Sequence, residues 1–218
     1  MSVSPSGARS VRYASHISWQ PSPSPHVRRK RFEHEGPAES GRVTSLVEYA
    51  PGANFPAHDH PEGEEILVLE GTFSDERGDF SAGTYMLNPE GFRHAPFSQP
   101  GCLLFVQLRK YAGPQRERVL IDTRTAPYVA RMAGVSSLEL YRSAHYPERH
   151  WLTKLEPNAQ VGPIHLPKGE HIFVVSGTLE DEWGSYPRHT WLGLPPGFIH
   201  TPRSPGGCLL YIRQIDAG

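Results

Sequence analysis

Residues 52–71 read GANFPAHDHPEGEEILVLEG, and residues 83–98 read GTYMLNPEGFRHAPFS. His58 and His60 are two apart, so on a strand both imidazoles leave the same face. Pro61-Glu62-Gly63 has turn composition, and Glu64 then opens an apolar run, EILVLE, that ends at Gly71. From that position its carboxylate can swing back beside the two imidazoles. His94 follows the Pro89-Glu90-Gly91 turn, on a strand able to cross the same interior. A carboxylate next to an apolar run is rarely buried without a partner. Three imidazoles and one carboxylate converging inside a small barrel form a donor set for a divalent transition metal.

Outward from this stretch, short apolar runs alternate with turns. RVTSLVEY (42–49), EEILVLEG (64–71), TYMLNPEG (84–91) and CLLFVQLRK (102–110) all have strand character, and TFSDERGDF (72–80) has that of a hairpin. Successive elements lie about 8 to 12 residues apart, the spacing of an antiparallel sandwich or barrel. Sliding the chain along itself by 106 residues superposes two halves without a gap. EGTFSDERGDF (70–80) meets SGTLEDEWGSY (176–186), and PEGFRH (89–94) meets PPGFIH (195–200). The identities far exceed chance, so the chain is a tandem duplication of one all-β unit. The match extends weakly upstream, where Phe32-Glu33 meets Leu138-Glu139. The expected organisation is a loose Ser/Pro-rich arm over 1–26, a first unit over 27–112, a connector over 113–135 that includes a short strand in RVLIDTR (118–124), and a second unit over 136–218. Cys102 and Cys208 occupy equivalent positions and read as small buried hydrophobes.

Composition agrees with this architecture and excludes others. Pro 22 and Gly 21 approach a fifth of the 218 residues, which disfavours a helix bundle. Lys+Arg 22 against Asp+Glu 23 gives a formal charge of -1, with no polybasic field for nucleic acid. The basic run Arg28–Arg31 is followed at once by acidic residues and reads as a solvated strand edge. No apolar run approaches the length of a membrane span, and the N-terminus lacks a secretory apolar stretch. With only two cysteines, the expectation is a cytoplasmic protein without a disulfide framework. Histidine stands out at 12 residues.

The motifs G(x)5HxH(x)3E(x)6G and G(x)5PxG(x)2H resemble the two signatures of the cupin superfamily, with Ser98 where the family carries a final Asn. The resemblance implies two tandem cupin jelly-roll barrels, an all-β bicupin, with His58, His60, Glu64 and His94 as metal ligands. Glu65 competes with Glu64 for the carboxylate position, and the six-residue gap to Gly71 favours Glu64. More narrowly, HPEGEEILVLEGTFSDERGDFSAGTY (60–85) and NPEG (88–91) resemble ChrR-type cupin domains and related small-molecule dioxygenases. The HxxxCxxC signature of the ChrR zinc domain that holds a sigma factor is absent from the sequence, so the resemblance extends to the fold and a metal and not to sigma-factor binding.

In the second half, Ile164 and Leu166 stand where the first has His58 and His60, while Glu170 and His200 remain. A decayed site kept for packing is the simple reading. The sharper alternative is a one-residue loop shift that brings His165 into register, so that His165, Glu170 and His200 form a second, two-His one-carboxylate site. His171 and His189 are extra candidates. At the first site, three neutral imidazoles and a carboxylate leave a divalent ion (Fe, Mn, Zn or Ni) with a net charge near +1 and about two open positions. Those suit a small oxygenated substrate, and oxygen chemistry requires a redox-active metal, which zinc is not. The functional expectation is therefore a metal-dependent, dioxygenase-like enzyme, with a ChrR-like zinc cupin acting as a sensor without turnover as the alternative. No catalytic residue beyond the metal ligands is assigned. Tyr49, Tyr85, Arg93 and Gln107 are candidates for orienting a ligand, although alternation turns Arg93 away from His94. Phe55, Phe92, Phe97 and Phe105 read first as barrel core. The expected partner is a small molecule, and a homodimer is compatible with the fold.

Overall fold

A computed structural model describes residues 8–37 and 40–215 of the chain. Among these the protein is almost entirely β, with one short 3-10 turn at Ala14–His16. The described residues divide into two compact units, one spanning Ile17–Ala126 and the other combining residues up to His16 with those from Pro127 onward.

In the N-terminal unit the main antiparallel sheet runs Val119–Asp122, Thr84–Asn88, Glu64–Asp75, Cys102–Leu108, Arg42–Tyr49, Val27–Glu35 and Gln20–Pro21. The C-terminal unit repeats that order with Ser10–Tyr13, Thr190–Leu194, Glu170–Asp181, Cys208–Ile215, Glu148–Leu155, Val135–Arg142 and Val129–Met132. Each unit adds a two-stranded ribbon, His58–His60 with Phe92–His94 in the first and Ile164–Leu166 with Phe198–His200 in the second. These are two jelly-roll barrels of the cupin type, as the duplicated sequence predicts.

Each barrel has its own apolar core, built from the same strand positions. Ile66, Val68, Met86, Cys102, Leu104 and Val106 pack together in the first, and Ile172, Val174, Leu192, Cys208, Leu210 and Ile212 in the second. The two cysteines are free and buried, and burial pushes the Cys102 thiol up to about 11, so it behaves as a small hydrophobe. Gly71 and Gly177 adopt φ of 73° and 74°, and a Cβ there would lie 2.0 Å and 2.1 Å from the carbonyl oxygens of Gly101 and Gly207. No other residue fits that crossing without moving backbone. Ser98, which replaces the family's Asn, donates from Oγ to the Thr72 carbonyl at 2.6 Å, and Ser204 does the same to Thr178 at 2.6 Å.

Three features differ from the expectations. Residues 1–26 are not wholly a loose arm, because Ser10–Tyr13 pairs along Thr190–Leu194 and Gln20–Pro21 pairs with Val27–Glu35. Exposed sheet edges carry unpaired N–H and C=O groups, and segments this short satisfy them without a legible hydrophobic period. The connector holds the strand expected in RVLIDTR and, beyond the expectation, a second one. Val119–Asp122 extends the N-terminal sheet beside Thr84–Asn88, and Val129–Met132 pairs with Val135–Arg142. Finally, the gapless offset of 106 fails upstream. Arg29 pairs with Val47 while Ser137 pairs with Thr153, so the first strands correspond with an offset of 108 (137 − 29), and Phe32 does not match Leu138.

Candidate metal centre

The ribbon places the histidines. Antiparallel register sets His94 opposite His58 and Phe92 opposite His60, so the imidazoles of 58, 60 and 94 leave one face. Asp59 and Arg93, the intervening pair, point outward and bond to each other at 3.0 and 3.1 Å. This excludes Arg93 as a cavity group, as alternation requires. One ligating atom from each of His58, His60 and His94 lies within 4.8 Å of the others. His60 Nε2 and His94 Nε2 are 3.0 Å apart. Two nitrogens bound to one ion at about 2.1 Å and at right angles would stand about 3.0 Å apart, so the pair has the spacing of neighbouring metal ligands. Glu64 Oε2 lies 3.5 Å from His60 Nε2 and 3.7 Å from His94 Nε2. The histidine cluster can hold a metal ion, and Glu64 stands beside it.

The protonation states suit that role. His58 Nδ1 is 2.8 Å from the Pro56 carbonyl, which only accepts, so Nδ1 carries the proton and Nε2 keeps its lone pair. Burial lowers His60 to about 3, with His58 and Arg109 adding to the effect, so this imidazole is neutral at physiological pH. Burial likewise lowers His94. Glu64 is pushed up, chiefly by burial and against the pull of His94 and an Asn88 hydrogen bond. A carboxylate in so dry a place calls for a cation.

The surrounding groups orient this set, and sequence inspection did not single them out. Asn88 Nδ2 donates to Glu64 Oε2 at 3.1 Å, and Arg118 Nε donates to Asn88 Oδ1 at 3.1 Å. The connector thus helps to fix the carboxylate. Asp75 Oδ2 lies 3.5 Å from His94 Nδ1, and Asp75 also accepts from the Arg77 backbone N–H at 2.7 Å. The signal for Asp75 was present, since Asp181 repeats it. Glu65, the competitor, is fully buried on the opposite face of its strand, where Gln107 Nε2 donates to it at 2.7 Å and the Tyr111 hydroxyl also bonds it. Gln107 is therefore a partner of Glu65 and not a cavity residue, and neither Tyr85 nor Phe105, both fully buried, lines the cavity.

The histidines and Glu64 line a cavity of about 210 Å³. Its walls are mainly apolar and include Tyr49, Phe55, Ile66, Phe73, Leu104 and Val106; Arg29 and Arg109 also face it. Phe92 packs edge-on against His94 with centroids 5.4 Å apart, while Phe97 is partly buried in a short strand against Ala53–Asn54.

The second trio does not assemble. Ile164 pairs directly with His200 and Leu166 with Phe198, with no register shift, so His165 takes the outward position of Asp59 and is exposed. Leu166 joins the apolar core and Ile164 packs against it. Among the described residues, no metal-type cluster contains His165, Glu170 and His200. His200 Nδ1 instead lies 3.3 Å from Asp181 Oδ2, and Asp181 accepts from the Tyr186 hydroxyl and the Trp183 N–H, each at 2.8 Å. Glu170, partly buried and with Leu194 where the first barrel has Asn88, is raised to about 7 chiefly by desolvation. His171 packs on Trp191, and His189, at φ 64°, stacks on Phe173.

Fold and site define a bicupin, and comparison with known proteins narrows this. A family model described as the ChrR cupin-like domain matches residues 8–112 and again 116–216, so the chain belongs to the ChrR cupin-like family. Among solved structures, a candidate dioxygenase from Nostoc punctiforme shares 14% identity over 95% of this chain and 82% of its own, with a TM-score of 0.79. The bacterial pirin YhhW of Escherichia coli, in complex with nickel(II), shares 13% over 97% of this chain and 100% of its own, at 0.74. A mutant of Bacillus subtilis oxalate decarboxylase shares 14% over 99% and 78%, at 0.66. At such identities the likeness concerns the fold. Comparison with curated proteins gave no match. No helix among the described residues is long and apolar enough to cross a membrane.

Proposed function

We propose that the N-terminal barrel is a metal-dependent, dioxygenase-like enzyme site in which His58, His60, Glu64 and His94 hold one divalent transition metal and a small oxygenated organic molecule occupies the adjoining cavity. The observation that carries this reading is the convergence of three imidazoles and a buried carboxyl group on one wall of an apolar cavity of about 210 Å³. A redox-active ion such as Fe(II) supplies the electron exchange with dioxygen that side chains alone do not provide. The chain's own residues do the rest. Pro56 sets the His58 tautomer, Asp75 stands behind His94, and Arg118 through Asn88 fixes Glu64. The aliphatic and aromatic walls exclude water, which strengthens each electrostatic contact inside. The C-terminal barrel, with aliphatic residues at two ligand positions, serves the fold.

The test is anaerobic reconstitution of the purified chain with Fe(II), followed by oxygen uptake with a panel of diketones and hydroxyaryl ketones. Uptake with at least one member, abolished in His58→Ala, is the expected result. The family membership favours one other reading, a zinc cupin that senses a ligand or oxidant. Zinc in freshly purified protein, a stable protein partner and no uptake with any panel member would replace the enzyme reading with that one.

A further inference from the structure

Two arginines, Arg29 and Arg109, line the cavity, and the duplicated half has neither. Arg109 follows the strand Cys102–Leu108 and is a non-glycine residue in the left-handed region, at φ 59°. Its backbone N–H donates to the Gly63 carbonyl at 3.1 Å, which ties it to the turn between His60 and Glu64. Such a conformation is costly and persists where the surrounding structure imposes it. Among the described residues, the Arg109 side chain has no hydrogen-bond or ion-pair partner, and the residue lines the same cavity as His60 and Glu64. Arg29 lines the same cavity from the strand Val27–Glu35. Asp59, the acidic residue at this rim, is engaged by Arg93 at 3.0 Å.

The second barrel serves as an internal control. Its residue in register with Arg29 is Ser137, and the one 106 positions beyond Arg109 is Ile215. The half that carries Ile164 and Leu166 in place of two histidines has therefore no arginine at either position. The arginines accompany the histidine cluster rather than the barrel.

We propose that the N-terminal cavity selects a small organic monocarboxylate with an apolar body, its carboxylate received by Arg109 and Arg29 and its remaining oxygen directed toward the histidine cluster. This specifies the substrate class of the site proposed above and rests on that reading for the second contact only. A guanidinium pairs with a carboxylate through two parallel hydrogen bonds, and in a cavity with apolar walls such a bond is stronger than in water. About 210 Å³ lies below the roughly 300–1,000 Å³ of drug-sized sites, so the ligand is small.

The experiment is calorimetric titration of the full chain with benzoylformate and with 1-phenylpropane-1,2-dione, a pair of similar size in which a carboxylate is exchanged for an acetyl group. The wild type is expected to prefer benzoylformate by about tenfold or more. Arg109→Gln and Arg29→Gln should each reduce the preference to roughly threefold or less, and Arg109→Lys should retain part of it. Unchanged thermal midpoints certify that the variants are folded. Equal affinity for the two probes, binding of neither at millimolar concentration, or a preference that survives both Gln variants overturns the proposal. Repeating the titrations on chelator-treated protein separates the two readings. A charge preference that persists without metal supports the arginine clamp even if oxygen uptake fails, whereas metal-dependent binding without a charge preference leaves the enzyme reading standing and removes the clamp.

Discussion

The two barrels have one architecture and unlike interiors. In the first, the ribbon His58–His60 with Phe92–His94 directs three imidazoles at one another, and in the second the matching ribbon directs Ile164 and Leu166 into apolar core. The crossing glycines, Gly71 and Gly177, and the serine bonds, Ser98 to Thr72 and Ser204 to Thr178, are the same in both. What both halves keep is therefore what the jelly roll needs, and what differs between them is the site. His200 and Asp181 are an instructive survival. The histidine that remains lies against its aspartate at 3.3 Å, which lets a buried polar pair persist where two of the four candidate ligands are gone.

The comparison is most directly broken by metal analysis. His58→Ala or His94→Ala should lower the bound metal from about one ion per chain to less than a tenth of that, while His165→Ala and His200→Ala leave it unchanged; elemental analysis after gel filtration reads the result. Two ions per chain, or loss of metal in His200→Ala, would show that the second barrel binds as well. Next in size, Asn88→Leu, which installs the residue found at the matching position 194, and Asp75→Asn should each weaken metal binding by about 10–100-fold with the fold intact. Competition with a chromogenic chelator measures this, and an unchanged affinity would deny both residues their orienting role.

The pH dependence of stability sharpens the contrast from the other side. Glu170 is raised to about 7 in the folded chain from an ordinary value of 4.5, so folding favours its protonated form. Its contribution is full below about pH 4.5 and is lost as pH rises through about 7. Glu170→Gln should therefore flatten this loss and stabilise the C-terminal barrel at pH 8, by on the order of 1–3 kcal/mol in urea titration. The smallest effects should be equal in the two halves, since Ser98→Ala and Ser204→Ala each remove one hydrogen bond to a carbonyl, at about 1 kcal/mol.

Much of this molecule was legible in the chain itself. The period of two placed His58 and His60 on one face and Arg93 on the other, and the repeat at 106 residues announced two barrels before any coordinates. Short-range rules sufficed because a strand's facing is fixed by alternation and a duplication is visible as identity. Tertiary structure alone decided which carboxylate, Glu64 or Glu65, stands beside the imidazoles. It also showed that Ser10–Tyr13 and Val119–Asp122 close sheets far from them in sequence, and that Arg29 and Arg109 face the same cavity as the histidines. The physical reason is common to all three. Neighbours along a strand are assigned to faces by local geometry, but which distant groups share a face, an edge or a cavity depends on register and closure, and these are fixed only when the whole barrel folds.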